Sequence, residues 1–189
     1  MFNCKPNETK KQKNSAFSMV EVLIVVTVIA VIVAVALPLS IGILGGNRAQ
    51  SYLHQIKSAL EIARITAISK NISTIMCPTS NGTACAAVSN DNWANNQVMV
   101  FTSSAGDPSD VDNIITIIQA PENGEYVKWQ GALNLDYIEI RANGFSATNG
   151  TMTYCAKLDS SGQFKTNQEL VINQTGRVIM NYLSTPQSC

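Results

Sequence analysis

The stretch from Ser15 to Pro38 constrains this chain most. From Phe17 to Leu37 it is apolar over 21 residues, broken only by Ser18, Glu21 and Thr27. At about 1.5 Å per helical residue such a run reaches about 30 Å, the thickness of a bilayer core. Glu21 sits badly in that setting, because a carboxylate in the hydrocarbon costs about 2.5 kcal/mol or more unless something neutralises it. A plain single-pass anchor has no use for this acid. If the chain were cut between Ala16 and Phe17, the new ammonium on Phe17 would lie one helical turn from Glu21, or beside the Glu21 of a neighbouring subunit.

Those residues form a joint pattern: Lys10, Lys11 and Lys13, then Ala16, Phe17, Glu21, and Pro38 after about five helical turns. The pattern resembles the class III signal of type IV pilins and type II secretion pseudopilins. It has a short basic leader, a small residue at the cut, an aromatic first residue and a glutamate four residues on. The family usually has glycine where this chain has Ala16. The resemblance implies cleavage by a prepilin peptidase, methylation of Phe17, and pairing of Glu21 with the Phe17 amine of an adjacent subunit.

Residues 1 to 16 carry Lys5, Lys10, Lys11 and Lys13 against Glu8, a net of +3. Positive charge before a span keeps that end in the cytoplasm, so the rest is delivered outward. Pro38-Leu-Ser-Ile-Gly offers no convincing secretory cleavage site, and the apolar segment is expected to stay attached. From Phe17 onward nine bases face twelve acids, a net of −3, with no global pull toward nucleic acid.

Pro38, Gly42, Gly45 and Gly46 weaken helix propensity in one short region. Beyond it Ala49, Leu53, Ile56, Leu60, Ala63 and Ala67 recur at steps of 3 and 4, the mark of one apolar face. Arg48, Gln50, Lys57, Glu61 and Arg64 fall largely on the other side. The chain thus divides into a leader (1–16), a membrane half of a long helix (17–38), an amphipathic half (39–70) and a β-rich head (71–189). In the head the period shifts toward 2, and 72–77, 97–102, 113–118, 125–129, 137–141, 151–156, 169–173 and 177–183 read as strands. Asn-Gly, Gly-Asp-Pro and Ser-Gly turns separate them. The fold class is α+β, a long N-terminal helix packed on an antiparallel β-sheet head.

No enzyme is expected. His54 is the lone histidine, no acid stands at ligand spacing beside it, and there is no Gly-rich phosphate loop or G-x-S-x-G serine. Neither a metal nor a cofactor is expected. Cys4 lies in the leader, leaving Cys77, Cys85, Cys155 and Cys189 in a domain placed where disulfides persist. Four cysteines allow three pairings. Seven residues containing Asn81-Gly82 separate Cys77 from Cys85, a loop easily closed, which favours Cys77 with Cys85 and Cys155 with Cys189. A zinc site would ordinarily need a C-x-x-C pair, and none occurs.

Several pieces of the head occur in a familiar order: a strand ending in Cys77, Cys85 to Trp93 before Val98-Met-Val-Phe101, Ile140-Arg-Ala-Asn-Gly-Phe145, Asn149-Gly-Thr-Met-Thr-Tyr-Cys155, and Leu170-Val-Ile-Asn173 before Thr175-Gly-Arg-Val178. Together they are similar to the heads of the minor pilins FimU and FimT and of the pseudopilin GspH. The resemblance implies a low-abundance subunit of the bacterial inner membrane, head in the periplasm, that helps initiate or cap a filament. Its implied partners are the major and other minor pilins, a prepilin peptidase, an inner-membrane assembly platform and an assembly ATPase. Some FimT-type members bind double-stranded DNA through a G-R-x-R motif; the matching positions are Gly176, Arg177, Val178 and Ile179, so the second arginine is missing. Arg177 with Lys165 and Lys157 would make a small basic patch if the hairpins bring them together. The alternative is that Gly176 serves a turn and Arg177 is a solvated strand residue.

Overall fold

The computed structural model describes residues 18–88, 93, 96–132, 135–158 and 162–189, with the side chains of 35–42 excepted. One helix, α1, runs Met19–Lys70. Among the described residues eight strands follow: β1 Ser73–Thr79, β2 Gln97–Ser103, β3 Asn113–Ile118, β4 Tyr126–Gly131, β5 Ile138–Ile140, β6 Gly150–Lys157, β7 Phe164–Ile172 and β8 Val178–Ser188. The chain divides into two units at Leu37/Pro38.

In the first unit Ser18 stands just ahead of α1, and its carbonyl accepts from the amides of Glu21 and Val22 at 3.0 and 3.2 Å. Ser18-Met-Val-Glu21 has the spacing of a capping box, and an acid in the first turn suits the positive end of the helix dipole. Every large apolar side chain described from Met19 to Val33 is exposed. Among the described residues no helix is long and apolar enough to cross a membrane; the rest of the apolar run falls in 35–42.

In the second unit α1 ends in a Schellman-type cap. Asn71 takes the left-handed conformation (φ 53°) and the Ile72 amide reaches back to the Ala67 carbonyl at 3.1 Å. The face made by Ala49, Leu53, Ile56, Leu60, Ala63 and Ala67 is buried, as its spacing requires.

The head is not one sheet but two, each antiparallel and four-stranded, ordered β3-β2-β1-β5 and β4-β6-β7-β8. Local period and turn chemistry place strands but do not choose their partners. The chain changes sheet after β3, through the Pro121–Gly124 turn, whose Asn123 and Gly124 both have positive φ. β1 then recruits β5 from more than sixty residues on, Thr74 opposite Ile140. Both sheets and α1 share one core. Met76, Val98, Val100 and Ile138 come from the first sheet, Trp129, Met152, Leu170 and Ile172 from the second, with Trp93 between strands. A smaller cluster of Ile75, Cys77, Met99 and Phe101 lies on the other face of the first sheet, under Cys85, Val111 and Tyr137.

Candidate functional site

The processing residues Ala16 and Phe17 lie outside the described residues. Glu21 is in the first turn of α1, four residues beyond Phe17, among exposed valines and leucines. A helix apolar on all sides is one that other apolar surface must cover. The first unit thus carries a continuous exposed apolar surface with one acid, Glu21, near its start.

In the second unit, two contacts hold the helix to the head near its start. Gly45 is buried, and a Cβ there would collide with the Lys157 carbonyl oxygen, so the helix approaches the end of β6 only because residue 45 has no side chain. Arg48, the next turn on, forks onto Glu125: Nε donates to Oε2 at 3.0 Å and a terminal nitrogen to Oε1. Glu125 is 0 % exposed and also accepts from the Tyr154 hydroxyl at 2.7 Å. Burial works against its charge, but the bonds from Arg48 and Tyr154 and the guanidinium's field outweigh burial, and the carboxyl is held below its ordinary value. Arg48 is raised in return, chiefly through its bond to Glu125. Tyr154 is pushed up by burial and then by the carboxylate it donates to, and Tyr52, its ring tilted 48° to that of Tyr154 with centroids 5.2 Å apart, by burial alone. Sequence periodicity places Arg48 off the apolar stripe, on the solvent side. Nothing local marks Glu125, 77 residues away, as its partner.

Two disulfides brace the head. Cys77 of β1 joins Cys85 in the following loop, and Cys155 of β6 joins Cys189. The second ties the end of β8 back across β7, where Lys128 Nζ donates to the Cys189 carbonyl.

The expected basic patch is not assembled. Lys157 and Lys165 lie together at one end of the second sheet, Lys157 opposite Phe164 and Lys165 opposite Ala156 and Ser188. Arg177 follows the turn at the other end, where Ile172 faces Val178. Seven residue steps of β7, from Lys165 to Ile172, separate the two ends, about 23 Å. Gly176 serves the turn: its φ is +72°, its amide donates to the Asn173 carbonyl at 2.9 Å, and a Cβ would strike the Gly144 carbonyl. Arg64 packs against both glycine turns and donates to the Gly176 carbonyl at 3.4 Å. His54 is exposed on α1, and among the described residues no group of three or more His, Cys, Asp or Glu is placed to hold a metal.

A long helix, apolar on all sides in its first turns and packed by its second half into a β head, is the build of a pilin-like subunit. Residues 53–176, more than half of the chain, match the family described as type II transport protein GspH, and residues 11–37 match the prokaryotic N-terminal methylation motif. The chain belongs to the GspH family. Among solved structures it is similar to the type IV minor pilin FimU of Pseudomonas aeruginosa strain PAO1. In the P21 crystal form the TM-score is 0.51 at 17% identity, over 76% of this chain and 96% of that one. The P65 form gives 0.49 at 17%, over 74% and 98%. At that identity the likeness concerns the fold. No curated protein sequence gives a significant match.

Proposed function

We propose that this chain is a minor pilin that helps initiate or cap a type IV pilus-like filament. The leader is removed by prepilin peptidase after Ala16, Phe17 is methylated, and the segment from Phe17 to Leu37 holds the subunit in the bacterial inner membrane with its head in the periplasm. The assembly platform then draws it into a filament with the major and other minor pilins. One observation carries the reading: a methylation motif over residues 11–37 runs into a helix whose first turns expose apolar side chains on every side around a single acid, Glu21. The same kind of helix from other subunits covers such a surface and, once processed, offers the Phe17 amine to that acid, which an intramembrane carboxylate needs.

The test is Glu21→Ala, followed for both leader cleavage and recovery in sheared filaments. Cleavage is expected to proceed and incorporation to fail; normal incorporation sinks the pairing of Glu21 with Phe17. A second reading, a type II secretion pseudopilin, is favoured by the family match and uses the same helix and head. Deleting the gene and scoring secretion against pilus assembly separates the two. A DNA-uptake role would rest on Arg177 without Lys157 and Lys165, and predicts salt-sensitive binding of duplex DNA that Arg177→Ala removes.

A further inference from the structure

Asparagine followed by glycine is a dipeptide with reactive chemistry of its own. The glycine nitrogen, unhindered by a side chain on its own residue, can attack the asparagine carboxamide and close a five-membered imide. The pair occurs four times, at Asn81-Gly82, Asn123-Gly124, Asn143-Gly144 and Asn149-Gly150. Local sequence ranks the four alike. Reaction requires a glycine nitrogen free of other bonds and a carboxamide free to swing over it, and both conditions are set by the fold.

Three of the pairs are held. The Gly82 amide donates to Thr79 Oγ1 at 2.9 Å, and Asn81 Oδ1 accepts from the Thr83 and Ala84 amides at 3.0 and 3.2 Å. The Gly144 amide donates to the Arg141 carbonyl at 2.8 Å, and Asn143 Oδ1 accepts from the Phe145 amide at 3.0 Å. Gly144 is also buried, against Ile68 and Arg64. Gly150 opens β6, paired to Gly131 on one side and Ile172 on the other, and so close to β4 that a Cβ would strike the Gln130 carbonyl oxygen.

The fourth pair is free. Asn123 and Gly124 are the two central residues of a turn closed by the Glu125 amide on the Glu122 carbonyl at 3.0 Å. Their φ angles are 59° and 72°, both positive as in a type I′ turn, for which Asn-Gly is a favoured pair. The closing bond does not engage the Gly124 nitrogen. Among the described residues nothing bonds to that amide or to the Asn123 carboxamide. Both residues are exposed, and no atom lies within 4 Å of where a Gly124 Cβ would stand.

We propose that Asn123 is a site of spontaneous deamidation, selected by the fold from four pairs of the same sequence. The Gly124 nitrogen loses its proton to solvent base and bonds to Asn123 Cγ. The carboxamide nitrogen leaves as ammonia, and water then opens the imide at either carbonyl. One water is consumed and one ammonia released, with no oxidant or metal. Opening at one carbonyl leaves an aspartyl residue; opening at the other leaves an isoaspartyl link that carries the main chain through the side-chain carbon. Either product adds a negative charge next to Glu122 and two residues ahead of the buried Glu125. The isoaspartyl link also lengthens by one carbon the turn that delivers Glu125 to Arg48. This chemistry uses the head alone and stands apart from the role of Glu21.

The experiment holds the full chain at mildly alkaline pH, folded in detergent micelles in one arm and unfolded in guanidinium chloride in the other. Each Asn-Gly pair is followed by peptide mapping with fragment-ion localisation. In the folded arm Asn123 is expected to convert at least about tenfold faster than Asn81, Asn143 or Asn149, while in denaturant the four rates converge to within about threefold. Both aspartyl and isoaspartyl products are expected, a mixture that direct hydrolysis of the amide does not give. Gly124→Ala, whose methyl crowds the attacking nitrogen, is expected to slow conversion at least about tenfold while tryptophan emission stays native. Equal rates in the folded arm, a faster pair elsewhere, aspartyl product alone, or an unchanged rate in Gly124→Ala overturns the assignment. So does the same lead for Asn123 in denaturant, since selection would then be local and not a property of the fold.

Discussion

Replacing Arg48 by methionine keeps the length and apolar stem of the side chain but strips Glu125 of its charged partner. Glu125 is wholly buried and would keep only its remaining bonds, chiefly that from Tyr154. Breaking a buried pair by removing one partner costs about 3–5 kcal/mol, and because Arg48 is 36% exposed that range is discounted to about 2–3 kcal/mol. For a domain of this size the loss is about 4 to 12 °C in Tm. The assay is thermal and urea unfolding of the full chain in detergent, read by emission of Trp93 and Trp129, both 1% exposed. The pH dependence has a definite sign. In the wild type Glu125 is held below its ordinary 4.5, so its stabilisation is complete above 4.5 and is lost as pH falls through the lower folded value. In Arg48→Met the carboxyl, left with burial, titrates higher than in the wild type, so the deficit is full at pH 7 and narrows on acidification. Arg48→Met with Glu125→Gln removes both charges and is expected to recover most of the loss. A deficit below about 0.5 kcal/mol, the scale of an exposed ion pair, or a double variant as unstable as the single one, would refute the reasoning.

Gly45→Ala and Gly46→Ala make the same change one residue apart with opposite expected signs. At 45 the new Cβ meets the Lys157 carbonyl and costs about 1–3 kcal/mol, whereas at 46 its nearest neighbour is Asn167 Nδ2 at 3.8 Å and the helix gains up to about 1 kcal/mol, both read from urea midpoints. Removing Cys155–Cys189 by serine substitution should cost about 4 kcal/mol and removing Cys77–Cys85 about 2.5, since the sequence separations are 34 and 8; the reverse order of midpoints would contradict the loop-entropy account. Tyr52 and Tyr154 titrate above their ordinary 10.0, so their contribution is intact below pH 10 and declines above it; phenolate absorbance from them should appear only with unfolding.

The spine of this protein is written locally. Twenty-one nearly unbroken apolar residues, an acid four positions after an aromatic, and a 3-4 repeat from Ala49 to Ala67 each act through neighbours within a few turns, so a linear reading recovers them. The eight strands are legible for the same reason, because alternation and Asn-Gly turns are short-range. Tertiary structure alone decided how those strands divide into two sheets, since β1 finds β5 across more than sixty residues and no local pattern encodes that choice. It also turned Arg48 from a solvent-side helix residue into the partner of a buried carboxylate. The same long-range pairing set Lys157 and Lys165 at the far end of a strand from Arg177. Periodicity reports which face of an element is apolar; which other element comes to lie against it is settled only when the whole chain competes for the same core.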